Sequence, residues 1–138
     1  MAITVSLRIV GVHLNPNEIS SILLVAPHST KRKGDVQIIT SKKEIVSKFG
    51  VWHWKSTDLS ELLTLDDHFD HIKETFGHAY SLFSMLPNVD DAWLDVCLLD
   101  KDVEGGDSSL NFVLSKKSLR VIGDIGLPIE FTIYQPEQ

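Results

Sequence analysis

The 138-residue sequence contains a single cysteine, Cys97. An internal disulfide is therefore impossible, and a CxxC metal or redox site is excluded. No apolar run approaches the roughly 20 residues that a bilayer-crossing helix requires. The opening MAITVSLRIVG lacks the basic region, apolar stretch and cleavage site of a secretory leader, so a cytoplasmic protein with no membrane partner is expected. No Gly-Lys-Ser/Thr run opens a helix, which removes the P-loop route to phosphate. No Ser/His/Asp or Cys/His grouping is defined by order along the chain. Cys97 lies mid-strand among aliphatics, where burial disfavours the thiolate, and reads as structural. Low-complexity segments and long linkers are also missing.

Positive charge is scarce in one half of the chain. Residues 56–107 hold thirteen carboxylates against Lys73 and Lys101, whereas residues 28–55 hold seven cations against Asp35 and Glu44. The net charge is -6. Such asymmetry steers a charged partner toward one face. The acidic half would repel a phosphate backbone, so nucleic acid is not an expected partner. Hydrophobic residues at 43% and charged residues at 23% exclude a disordered chain. The length predicts one globular domain over 1–138.

Alternation of Ile3, Val5, Leu7 and Ile9 with Thr4, Ser6 and Arg8 predicts an opening strand. Asn15, Pro16 and Glu18 then start a helix carrying Ile19, Ile22, Leu23 and Ala26, which Pro27 ends. Residues 35–40 and about 45–55 read as two strands joined by SKKE, with Trp52 and Trp54 on one face and Val51, His53 and Lys55 on the other. Thr64 with Asp67 begins the longest helix, along the apolar line Phe69, Ile72, Phe76, Ala79, Phe83 and Leu86, closed by Pro87 and Asn88. AWLDVCLLD predicts a central strand buried on both faces, and the glycines of DVEGGDSS permit a hairpin into LNFVL. Ser115 caps a short helix that stops at Gly123 to Gly126, and LPIEFTIY closes the chain with Ile129, Phe131 and Ile133 on one face. The order βαββαββαβ favours an α+β two-layer sandwich, a mixed or antiparallel sheet with its helices mainly on one face. An open sheet of this kind leaves edge strands at which two chains can pair.

Several groups carry possible chemistry. PHSTKRKGD (27–35) reads as a helix exit and turn, with an anion site at Lys31, Arg32 and Lys33, beside Ser29 and Thr30, as the alternative. Asp67, His71, Glu74 and His78 form a helical stripe opposite the apolar line. Three turns spread them over roughly 16 Å, so a solvated face is expected, with no metal or other cofactor. DKDVEGGDSSLN places Asp100, Asp102, Glu104 and Gly105 at calcium-loop spacing, but Asn111 stands where a bidentate glutamate is needed, and an acidic turn is expected. Trp52 and Trp54 read as core, and with His53 they define the alternative of a ligand pocket.

GVHLNPNEISSILLVAP, the turn ending in Lys33-Gly34-Asp35, GVWHWKS and IGLPIEFTIY, taken in order and spacing, resemble a bacterial family, the domain of unknown function 4279. The resemblance spans nearly the whole chain. It implies a small α+β domain and brings no catalytic residues. Some relatives resemble immunity proteins of toxin systems. The expectation is therefore a non-catalytic protein-interaction domain that meets a basic partner, such as a toxin, through Asp66, Asp67, Asp70, Asp100, Asp102 and Glu104. The alternative is a small-molecule sensor or enzyme with a pocket near Trp52, His53 and Trp54.

Overall fold

A computed structural model of the chain describes residues 2–56, 64–99 and 111–134. Strand β1 (Ala2–Gly11) is the middle of a five-stranded sheet in the order β2-β5-β1-β6-β7, built with β2 (Ser29–Lys31), β5 (Gly50–Lys55), β6 (Asp91–Leu99) and β7 (Ile129–Tyr134). The β2/β5, β5/β1 and β1/β6 pairs are antiparallel and β6/β7 is parallel. The sheet is thus mixed, and the α+β expectation holds. Alternation along β1 buries Val5, Leu7 and Ile9 under the helices and leaves Thr4, Arg8 and Val10 half-buried on the opposite face.

Helix α1 (Pro16–Leu23) starts as its sequence directs, with Asn15 Oδ1 accepting from the Asn17 N–H at 3.1 Å and proline in the first turn. It ends before Pro27, because Leu24 adopts a left-handed conformation (φ 56) whose N–H returns to the Ser20 carbonyl. Helix α2 (Leu65–Phe76) opens on a full capping box between Thr64 and Asp67. It stops at Gly77, and the expected longer helix continues only as a 3-10 turn, Tyr80–Met85, that keeps Phe83 buried. Helix α3 (Lys116–Ile125) is capped by the Ser115 hydroxyl and ends at Gly126, whose φ of 71 suits glycine.

Phe76 sits at the centre of the core, edge-on to Trp54 (ring centroids 4.9 Å apart) and Trp52 (6.3 Å). Both tryptophans are buried, and the Trp52 indole N–H donates to Ser20 Oγ at 3.0 Å, tying β5 to α1. Gly11 and Gly50 lie where other backbone passes: a Cβ on Gly50 would sit 2.6 Å from the Leu14 carbonyl oxygen.

Three expected elements differ. The single strand proposed for about 45–55 is two, β4 (Lys43–Val46) and β5, because Ser47 turns back to bond Gly34 and Asp35. Strand β4 pairs with β3 (Val36–Thr40) in a separate two-stranded ribbon, so the chain leaves the main sheet at Arg32 and rejoins it at Gly50. Strand β6 is buried on one face only, through Leu94, Val96 and Leu98, while Trp93, Asp95 and Cys97 are half-buried on the other. Finally, residues 111–114 of LNFVL form no strand. The place beside β6 is taken by β7 after the α3 crossover, the usual way to join parallel strands. The remainder of that expected hairpin lies outside the described residues.

Candidate functional site

The β3–β4 ribbon carries the feature least explained by folding. Its pairing runs Val36 to Val46, Gln37 to Ile45 and Ile38 to Glu44, with a bulge between Ile38 and Thr40. That register puts Val36, Val46 and Ile38 on one side and Ile45 on the other. Every residue of the ribbon is exposed, and Val36, Ile38, Ile39, Ile45 and Val46 are 44% to 71% exposed. A two-stranded ribbon alone is marginal in water. Here it is held at its base by three backbone bonds, Gly34 N to Ser47 O (2.8 Å), Ser47 N to Asp35 O (2.8 Å) and Asp35 N to Arg32 O (3.0 Å). A cleft of about 280 Å³ at that base is lined by Ile45, Val46, Phe49 and Val51 with Lys31 and Lys48 at its margin.

The basic stretch 27–35 leads into this ribbon. Ser29–Lys31, read above as part of a turn, is the edge strand β2, paired with Val51 to His53. Only Arg32 to Asp35 is a tight turn, closed by the Arg32 N–H on Asp35 Oδ2 (2.8 Å) and opened by Gly34 at φ 94. Arg32 Nη2 reaches Asn15 Oδ1 (2.9 Å) and Lys31 Nζ reaches Gln37 Oε1 (3.3 Å), so Arg32 ties the base of the ribbon to the start of α1 and Lys31 ties β2 to β3. Lys33 is exposed.

The expected acidic contact residues divide. Asp66 Oδ1 accepts from the Ser118 hydroxyl (2.5 Å), the Ser115 hydroxyl (2.8 Å) and the Ser115 N–H (3.4 Å), which holds its carboxyl below the usual range. Asp67 closes the α2 capping box, and Asp70 pairs with Lys117 at 2.7 Å. All three therefore carry bonds of the fold. Asp100, Asp102 and Glu104 lie outside the described residues.

Trp52 and Trp54 point into the core and His53 to the opposite face, so the three do not line one cavity. His53 Nδ1 lies 3.3 Å from Ser29 Oγ and its Nε2 is buried without a partner. Burial, then Arg8, Lys55 and His28, lowers its pKa to about 4. Of the helical stripe, His71 packs against Trp54 (centroids 5.2 Å) and His78 Nε2 donates to the Leu23 carbonyl (2.8 Å), so the stripe is only partly a solvated face. Among the described residues no three His, Cys, Asp or Glu side chains gather as a metal site. Ser56 Oγ bonds His68 Nδ1, but both residues are buried at 0% and 1% exposure. The pair fastens the end of β5 to α2 and has no open approach for a substrate. The Cys97 thiol is pushed up by burial and by Asp95, which keeps it protonated.

The family model for the domain of unknown function DUF4279 matches residues 1–136. The chain belongs to the DUF4279 family. No curated protein matches it, and no solved structure does. In this DUF4279 domain, three of the four stretches that carry the sequence resemblance build the frame, the end of β1 with α1, then β5, then the end of α3 with β7, while the fourth, the Lys33-Gly34-Asp35 turn, opens the ribbon. The exposed ribbon lies between them. Sequence reading missed its apolar side chains as a surface, although lysine-flanked VQII and EIV, bracketed by KRKGD and SK, were the available signal.

Proposed function

We propose that this DUF4279 domain is a protein-interaction module that grips its partner with the β3–β4 ribbon. The observation that carries the reading is an apolar ribbon, exposed on both sides, standing clear of a core already closed without it. Along residues 31–48, the ribbon and its flanks, Lys31, Arg32, Lys33, Lys42, Lys43 and Lys48 stand against Asp35 and Glu44. Two such ribbons would repel one another, so the fitting occupant is a different protein with an apolar groove rimmed by carboxylates. An immunity-type role, in which acidic residues neutralise a basic toxin, uses the opposite charge. Its helix carboxylates are occupied within the fold, and this favours the ribbon.

The test immobilises the full chain, captures partners from lysate of its source, and measures affinity for the purified partner against salt. Ile38→Asp with Ile45→Ser is expected to weaken binding by at least ~10-fold, a loss of about 1.4 kcal/mol, with urea stability unchanged. Salt should weaken the wild-type complex. Equal affinity of wild type and the ribbon variant overturns the proposal. So does loss of binding on reversing Asp100, Asp102 and Glu104 while the ribbon variant still binds, which would move the contact to the acidic stretch.

A further inference from the structure

A second cavity, of about 270 Å³, lies between α2, the 3-10 turn and α3. It takes no part in the ribbon. Four cations line it: Lys73 from α2 and Lys116, Lys117 and Arg120 from α3. Lys117 is neutralised by Asp70, with its Nζ 2.7 and 2.8 Å from the two carboxylate oxygens. Among the described residues Lys73, Lys116 and Arg120 have no carboxylate partner within ion-pair distance. One carboxylate, Asp124, shares the lining, and Glu74 stands beside Lys73 in the adjoining cleft.

Two features make this more than a basic patch. Tyr80 lines the same cavity, and its hydroxyl is buried without a hydrogen-bond partner. Burial and Asp124 raise its pKa, so it stays a proton donor at neutral pH. A buried donor left unpaired costs ~1–3 kcal/mol, and an incoming acceptor would recover part of that. Second, Lys116 and Lys117 occupy the first turn of α3, the end of a helix at which the backbone dipole disfavours cations. An anion in the cavity offsets that cost as well.

We propose that this cavity binds a small phosphomonoester. Within the lining, Lys73, Lys116 and Arg120, unpaired among the described residues, against Asp124 leave two positive charges, which matches the ≈ -1.5 to -2 of a phosphomonoester at pH 7. Arg120 offers the planar donor pair that suits phosphate oxygens, and Tyr80 supplies a neutral donor. Val121 gives a short apolar wall for the carbon part of the ester. The volume lies just below the usual small-molecule range of ~300–1,000 Å³, so the ligand is small.

The experiment titrates the full chain with glycerol 3-phosphate, succinate and glycerol, followed by thermal stability and, for the phosphomonoester, by phosphorus NMR line width. Glycerol 3-phosphate is expected to raise the melting temperature saturably and to broaden its phosphorus signal, and glycerol to do neither. Arg120→Ala and Lys73→Ala should each weaken binding by ~10-fold or more. Tyr80→Phe should weaken it ~5-fold without lowering the ligand-free melting temperature, because it removes a hydroxyl that is unpaired in the empty protein. Lys33→Ala and Lys48→Ala, on the ribbon, should leave binding unchanged. Several results overturn the proposal. They are no saturable response at ~10 mM, far weaker than typical metabolite affinities, equal weakening by the ribbon variants, or tighter binding of a dicarboxylate such as succinate than of the phosphomonoester.

Discussion

Asp66→Ala tests how α3 is held on the fold. The wild-type carboxylate receives two hydroxyls and one backbone N–H from Ser115 and Ser118, capping α3 from the neighbouring helix. Ser118 is only 1% exposed, so truncation leaves its hydroxyl without its charged acceptor. A hydrogen bond to a charged group is worth ~1.5–3 kcal/mol, and an unsatisfied buried hydroxyl costs ~1–3 kcal/mol, two figures that overlap. Asp66 is itself half-buried, so solvent screening places the expected loss near ~2 kcal/mol. For a chain of this length that is a fall of ~6–8 °C in melting temperature. Urea unfolding followed by tryptophan fluorescence measures it, and a double-mutant cycle with Ser118→Ala should give a coupling of ~1 kcal/mol. The hydroxyls of Ser118, then Ser115, hold the carboxyl below its ordinary 3.8. Its contribution is therefore complete above that pH and is lost as pH falls through the lower, folded value. A loss under ~0.5 kcal/mol, or additive single changes, would refute the account.

Gly50→Ala should destabilise by ~1–3 kcal/mol or more in the same urea assay, because the new Cβ meets the Leu14 backbone, which cannot swing aside like a side chain; unchanged stability would contradict the close approach. His53 should titrate near pH 4 by NMR. Between its ordinary 6.5 and about 4 the unfolded chain binds the extra proton, so stability falls as pH falls across that window, and His53→Gln should flatten the slope. A midpoint near 6.5 would sink this reading.

Much of the frame was legible because local rules decide it. The period of two in β1, the Asn15 cap and the Thr64 capping box each act within a few residues, and the structure keeps them. The split between β4 and β5 was not legible. Apolar residues at 45–46 and 51–54 continue one plausible strand, and only the bonds from Ser47 back to Gly34 and Asp35 break it. Asp66 and Asp70 read as surface charges because their partners, Ser118 and Lys117, lie about fifty residues away on α3. The Lys73, Tyr80 and Arg120 cavity is hidden for the same reason. Trp52 and Trp54 fell on the expected face, since strand alternation needs no tertiary knowledge.

The middle position of β1 also bears on how the protein is made. Strand β1 leaves the ribosome before either of its partners, β5 and β6, which begin 39 and 80 residues after its own last residue, Gly11. Both edges of Ala2–Gly11 remain open to other chains until Gly50 to Lys55 has been synthesised, and one stays open until Asp91 to Leu99 follows; pairing over such separations is slow. Synthesis thus holds the central strand of the sheet in waiting. Trimming β7, which pairs only with β6, takes away one margin of the sheet, whereas trimming the first ten residues leaves β5 and β6 with no strand between them.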